Sequence, residues 1–185
     1  MIWLASGSPR RRQLLTWAGH EVEVHPADID ETPREAEAAV AYARRLAVEK
    51  AAGAPEHALV VAADTVVHRG EALFGKPVDR EDAERMLTAL SGGWHAVTTG
   101  WCVRRGGAQR VGHTTTEVRF RELRPAEIRA YVETGEADDK AGAYGIQGRA
   151  GVFVAEVRGC WTNVMGLPME DVLRAVASIG EGGVA

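Results

Sequence analysis

Residues 3–15 read Trp3-Leu4-Ala5-Ser6-Gly7-Ser8-Pro9-Arg10-Arg11-Arg12-Gln13-Leu14-Leu15. Met1 to Ala5 is a short apolar run bounded by turn formers, the pattern of a buried strand. Ser8 is a good helix N-cap, and Pro9 suits the first helical position, where a missing N–H costs nothing. Leu14, Leu15 and Ala18 supply the apolar side of the helix that follows. A strand turning sharply into a helix is the opening unit of an α/β fold. Its charge is unusual: Arg10, Arg11 and Arg12 crowd the first turn, at the positive end of the helix dipole. A cation there is unfavourable by roughly 0.3–1 kcal/mol. Guanidinium groups stacked on free backbone N–H donors suit an anion, most simply a phosphate chain. A solvated basic turn would use the same residues, and no complete phosphate-loop or dinucleotide motif accompanies them.

Outward from this turn, Glu21 to His25 alternates as a second strand, and Pro26 to Pro33 is an acidic loop. The spacing predicts a helix from about Arg34 to Ala52, closed by Gly53 and Pro55. Its apolar stripe runs through Ala36, Val40, Ala43 and Leu46 and continues onto Lys50, which either snorkels to the surface or is an aimed cation. Ala58 to Val67 is the most apolar run and reads as a central strand, interrupted by Asp64 and Thr65. A carboxylate in that setting is costly unless paired, hydrogen-bonded or bound to metal, although an aspartate capping the strand end would also satisfy the pattern.

Phe74-Gly75-Lys76-Pro77 is a compact turn in which Pro77 holds Lys76 extended. Asp79 to Leu90 reads as a helix, and Trp94–Arg105 and Gln109–Leu123 as long strands joined at Gly106-Gly107. His95, without a companion ligand, reads as a hydrogen-bonding structural residue. Pro125 opens a helix to about Val132, and Thr134 to Gly151 is a glycine-rich loop. Val152–Val157 reads as a strand, Asn163–Pro168 as a turn, Met169–Ile179 as the last helix and Gly180–Ala185 as a frayed end. Alternating strands and helices followed by a hairpin imply a mixed α/β fold with a cleft.

The 185 residues, 45% of them hydrophobic, can bury a proper core as one domain or two closely packed lobes. A net charge of −4 argues against a nucleic-acid coat and makes the arginine cluster a local device. Only Cys102 and Cys160 occur, with no C-x-x-C pair, which fits a reducing cytoplasm. No signal-peptide pattern and no apolar run of ~20 residues are present, so the expectation is a soluble cytoplasmic protein without a membrane partner.

Taken together, the motifs resemble the Maf (septum-formation inhibitor) nucleotide pyrophosphatases. The blocks are Ser6-x-Ser8-Pro9-Arg10-Arg11, Asp30-Glu31, Lys50-Ala51, Ala63-Asp64-Thr65-Val66-Val67, Gly75-Lys76-Pro77 and His95-x-Val97-x-Thr99-Gly100. Asp139-Lys140-Ala141-Gly142-Ala143-Tyr144-Gly145-Ile146-Gln147-Gly148 and Asn163-Val164-x-Gly166-Leu167-Pro168 complete the ordered set. Trp161, where a tyrosine is common, and Ala137-Asp138, in place of a frequent proline–aromatic pair, depart from the family pattern.

The resemblance implies a single domain over residues 1–185, an elongated mixed sheet with flanking helices, and two lobes around a cleft like that of the inosine triphosphate pyrophosphatases. It implies hydrolysis of a nucleoside triphosphate between the α and β phosphates, with a divalent metal, Mg²⁺ or Mn²⁺. A homodimer is a candidate assembly. The chemistry needs cations, a metal to bridge phosphate oxygens, and a base for the attacking water. Arg10, Arg11, Lys50 and Lys76 are the candidate cations, and Ser6 is a further substrate-binding candidate. Asp64 is the candidate general base or, with Glu31, a candidate metal ligand, since one carboxylate does not easily serve as both at once; Glu31 is also a substrate-binding candidate. An amide at Gln147 can accept a pyrimidine N3–H and donate to O4, although a loop amide bonding nearby backbone would use the same residue. With Arg10, Thr65 and Gln147 at the matching specificity positions, the sequence resembles the subgroup acting on dTTP and UTP; the 7-methyl-GTP subgroup carries a glutamate at the position of Gln147. A nucleotide-binding regulator of cell division with little catalysis is the alternative class.

Overall fold

The computed structural model describes residues 1–181. Its strands are β1 (Ile2–Leu4), β2 (Val22–Val24), β3 (Val60–Arg69), β4 (Ala72–Phe74), β5 (Trp94–Arg105), β6 (Ala108–Phe120) and β7 (Val154–Arg158). Its helices are α1 (Pro9–Trp17), α2 (Ala39–Ala52), α3 (Arg80–Leu90), α4 (Pro125–Val132), α5 (Trp161–Val164) and α6 (Met169–Glu181). The strands form one mixed sheet in the order β2-β1-β3-β5-β6-β7, with β4 paired to β3. The first pairings are parallel, β1 with β2 and β1 with β3, whereas β3–β4 and β6–β7 are antiparallel. The expected α/β class is what forms.

The residues fall into two compact units. The first comprises residues 1–64, 99–114 and those from Gly166 onward. Here β1, α1 and β2 make a parallel βαβ turn, and Leu14 and Leu15 of α1 are buried. Each fully buried leucine contributes about 1.5–3 kcal/mol. Ala18, expected on the apolar side of the helix, is instead its exposed C-cap. Helix α2 packs through small side chains: Ala47 and Ala51 join Ala5, Val60, Ala62 and Cys102 in one apolar cluster. At Gly100 of β5 the backbones of strand and helix meet so closely that any Cβ would overlap the carbonyl of Ala43. Arg104 of β5 closes the far end of α2, its Nε donating to Ala51 O at 2.8 Å and its guanidinium also to Ala54 O. A cation there complements the negative end of the helix dipole.

Helix α2 begins at Ala39, five residues later than the periodicity suggested. Residues 34–38 form a turn with Ala36 in the left-handed region (φ 53°), exposed and off the buried stripe. Glu37 is the cause: its carboxylate is gripped by Arg45 at 2.7 and 2.8 Å and accepts Arg34 N at 3.0 Å, which holds this segment out of the helix.

The second unit holds residues 65–98 and 115–165. His95, Phe120, Tyr144, Phe153 and Tyr131 form its edge-to-face aromatic core. The His95 ring nitrogen Nε2 lies 2.9 Å from Tyr144 Oη, and burial drives its pKa down to about 4. His95 is therefore a neutral structural residue, as its solitary position suggested. Gly142 (φ 69°) presses against Val67 and donates its N–H to Gly75 O at 3.0 Å, tying the glycine-rich segment to the Lys76 turn. Ala137, at the departure from the family pattern, is fully buried, whereas Trp161 is 42% exposed at the start of α5.

Several boundaries differ here: β6 spans Ala108–Phe120 rather than Gln109–Leu123, and Phe74, expected in the Lys76 turn, ends strand β4. Arg149–Phe153 is a tight 3-10 segment, so β7 starts at Val154 rather than Val152; Gly151 N bonds Gly148 O at 3.0 Å and competes with ladder pairing. Asn163 sits in the short helix α5 rather than a turn, because its buried amide donates to Val97 O (2.9 Å) and Thr116 Oγ1 (3.0 Å). Helix α6 runs on through Gly180 and Glu181; the remainder of the expected frayed end, residues 182–185, lies outside the described residues.

Candidate active site

The parallel register between β1 and β3 builds the site in the first unit. Trp3 pairs with Val60 and Leu4 with Val61, so β1 ends while β3 continues to Asp64. Ser6 consequently follows the carboxyl end of β1, while Asp64 lies midway along the neighbouring β3, which runs on to Arg69. Carboxyl ends of parallel strands are where open α/β sheets bind ligands.

Ser8 caps α1 as its sequence demanded, its Oγ accepting Arg11 N at 3.5 Å, with Pro9 in the first turn. The three arginines then part. Arg12 is exposed, Arg10 is half-buried, and Arg11 turns inward, only 8% exposed. Its Nε donates to Gly166 O and its Nη1 to Ser6 Oγ, both at 2.8 Å. Burial lowers the Arg11 pKa most; Asp64 offsets this by attraction, Arg10 adds to the lowering, and Glu31 raises it. Arginine stays charged throughout. Ser6 Oγ accepts from both Arg11 and, at 3.3 Å, Ser8 N. With two N–H donors on its oxygen, the Ser6 hydroxyl is oriented to donate onward.

Lys50 settles the question its stripe position raised. It is 7% exposed, and its Nζ lies 2.5 Å from Asp64 Oδ1 and 2.6 Å from Glu31 Oε1. It is an aimed cation between two carboxylates. Asp64 lies within β3 rather than at a cap, which answers the cost of burying its charge by pairing it.

Glu31 comes from an irregular loop that α2 fastens down. Tyr42 Oη donates to Glu31 O at 2.7 Å, and Arg45 Nη2 donates to Thr32 O at 3.1 Å. Burial, with Asp64 and Glu31 close by, pushes the Tyr42 hydroxyl up to about 12, so it remains a donor. Arg45 in turn holds Glu37 down to about 2. Sequence reading missed Tyr42 and Arg45. The signal was present: two polar residues three apart on α2, on the turns before Lys50.

The structure thus gathers Ser6, Arg10, Arg11, Glu31, Lys50 and Asp64 in the first unit. Thr65, Lys76 and Gln147 belong to the second unit. Thr65 follows Asp64 on β3 and is half-buried, Lys76 is exposed in the turn after β4, and Gln147 is exposed in the glycine-rich segment.

The donor set offered to a metal is all oxygen: two carboxylates, with no third His, Cys, Asp or Glu grouped with them among the described residues. That suits a hard cation which takes one or two protein carboxylates and completes its shell with water and phosphate oxygens. No described helix is long and apolar enough to cross a membrane.

The family profile described as Maf-like protein matches residues 1–179. A dTTP/UTP pyrophosphatase of Chromobacterium violaceum is 50% identical over 188 aligned residues, covering 97% of this chain and 94% of its own length. One from Anaeromyxobacter sp. is 54% identical over 96% of this chain and 88% of its own. Another, from Thermococcus kodakarensis, is 47% identical over 93% of both chains. With the family profile matched over residues 1–179 and with Glu31 and Asp64 meeting on Lys50, this chain belongs to the Maf family.

Proposed function

We infer that this chain is a nucleoside triphosphate pyrophosphatase that cleaves dTTP and UTP to the monophosphate and pyrophosphate. The observation that carries the reading is Lys50, held by two carboxylates beside the buried Arg11 and the N-terminus of α1. The names of the relatives, dTTP/UTP pyrophosphatases at 47–54% identity, support the same substrates.

The roles follow from the chemistry. Arg10, Arg11, the Ser6 hydroxyl and the first N–H groups of α1 receive phosphate oxygens, and their fixed positions neutralise charge without reorganisation. Lys76 supplies a further cation, and Thr65 a hydroxyl contact. Asp64 takes the proton of the attacking water, and Lys50 holds its carboxylate in place. Glu31 would hold Mg²⁺ or Mn²⁺, which supplies Lewis-acid neutralisation of the phosphate oxygens, and Asp64 keeps the role of base. Gln147 reads the base. A uracil or thymine ring presents N3–H and O4, which an amide matches with its oxygen and its NH₂. A cytoplasmic setting and a homodimer are part of the same proposal.

A panel of dTTP, UTP, dCTP and 7-methyl-GTP, assayed with Mg²⁺ or Mn²⁺ for pyrophosphate release, tests it. Pyrophosphate released fastest from dTTP and UTP is expected. Orthophosphate alone would overturn the cleavage position, and preference for 7-methyl-GTP would overturn the role of Gln147. Tight nucleotide binding without turnover under either metal would favour a regulator instead.

A further inference from the structure

Gln147 is exposed, on a segment with five glycines between Thr134 and Gly151. An amide on such a chain discriminates bases poorly unless the backbone beneath it is fixed, because each rotatable bond left loose lets it meet other donor and acceptor patterns. The backbone is fixed. Gly148 N bonds Gly145 O at 3.0 Å, closing a four-residue turn with Ile146 and Gln147 at its centre. Ile146 points inward (8% exposed), while Gln147 stays exposed.

Both ends of this turn are held by one pair of residues. Tyr131 Oη accepts Gly145 N at 3.3 Å and itself donates to Glu136 Oε1 at 3.1 Å. The other carboxylate oxygen, Glu136 Oε2, accepts Arg149 N at 3.1 Å. Gly148 rests against the same carboxylate so closely that a Cβ there would overlap it. Lys140 Nζ donates to Glu136 O at 2.6 Å and anchors the backbone of Glu136 in turn. Burial raises the Tyr131 pKa, so its hydroxyl stays protonated and keeps donating.

We propose that Tyr131 and Glu136 are positioning residues for base specificity: together they form the mount that fixes the Gln147 turn, and so set the preference for a pyrimidine carrying N3–H and O4 over one carrying an N4 amine. This rests on the base-reading role given to Gln147 above. The bonds the pair makes to Gly145, Lys140 and Arg149 all fall on the glycine-rich segment that carries Gln147, so its expected effect is on recognition of the base.

The test compares kcat/KM for dTTP with that for dCTP in Tyr131→Phe, Gln147→Ala and the double variant. Tyr131→Phe removes one hydroxyl and both of its bonds while keeping the aromatic packing. The dTTP-over-dCTP ratio should fall at least about tenfold, mainly through KM for dTTP. Adding Tyr131→Phe to Gln147→Ala should change the ratio no further. Gly148→Ala, which pushes the turn off Glu136, should lower the ratio in the same way. An unchanged ratio in Tyr131→Phe, with the ratio lost in Gln147→Ala, would overturn the mount and leave the base reader standing. An unchanged ratio in Gln147→Ala would remove the base reader itself, and the mount with it. Equal losses for dTTP and dCTP in Tyr131→Phe would reduce the pair to general packing.

Discussion

Lys50 Nζ stands 2.5 Å from Asp64 Oδ1, an ion pair linking a helix to the strand beneath it. The same ammonium also meets the exposed Glu31, so its removal leaves the buried Asp64 carboxylate without its cation and facing a like charge. Asp64→Asn keeps the shape and an oxygen acceptor, so the fold should survive while kcat falls at least about 10²-fold, as expected on losing a general base. Lys50→Met should lose activity and stability together, because breaking a buried pair from one side costs up to about 3–5 kcal/mol. Pyrophosphate release and urea denaturation of the two variants, measured in parallel, check the contrast. Near-native turnover of Asp64→Asn would remove Asp64 from the mechanism.

The clamp on the Glu31 loop gives a milder effect. Tyr42→Phe deletes only the hydroxyl that donates to Glu31 O. The stability cost should be about 0.5–1.5 kcal/mol, the net worth of one hydrogen bond. kcat/KM should fall roughly fivefold to tenfold as the loop loosens. In a Glu31→Gln background the same change should cost little further activity, since its effect runs through Glu31. Additive losses in the double variant would contradict this.

Gly100 is where α2 touches the sheet backbone to backbone. Gly100→Ala should destabilise the chain by about 1–3 kcal/mol or more, the cost of overpacking, and displace the helix that carries Lys50. Denaturant midpoints together with activity measure both consequences. A variant of native stability and native turnover would show that the contact relaxes freely.

Burial holds His95 near pKa 4 in the folded chain, against 6.5 when unfolded. The unfolded state therefore binds a proton first as pH falls. The stabilising contribution is complete above about pH 6.5 and is lost between there and pH 4, by roughly 2–3 kcal/mol at pH 4.5. Unfolding free energies at pH 7 and 4.5 should differ less in His95→Gln than in the native chain. Equal pH dependence in the two proteins would place the titration elsewhere.

Much of this molecule is local and was legible as such. The Ser8 cap, Pro9 at the helix start, the Gly106-Gly107 hairpin and the Pro125 helix depend on residues within a few positions of one another. The late start of β7 has a local cause, the Gly148–Gly151 turn, but the α2 and α5 differences come from partners elsewhere in the chain. Arg45 draws Glu37 out of helix α2, and Val97 with Thr116 draws Asn163 into α5. The departure at Ala137 falls where the side chain is fully buried, which the sequence pattern left open.

By itself the sequence determined the order of the longer strands and helices but not the short β4 and α5, along with the family and which residue types were available for phosphate chemistry, because caps, turns and apolar periodicity act over single segments. Tertiary structure alone decided that Lys50 turns inward to two carboxylates, that only Arg11 of three arginines is buried, and that Tyr131 and Glu136 grip the Gln147 turn. Those choices depend on strand register and on how closely a helix can approach a sheet. Residues as far apart as Arg11 and Gly166 meet only when the whole chain has packed.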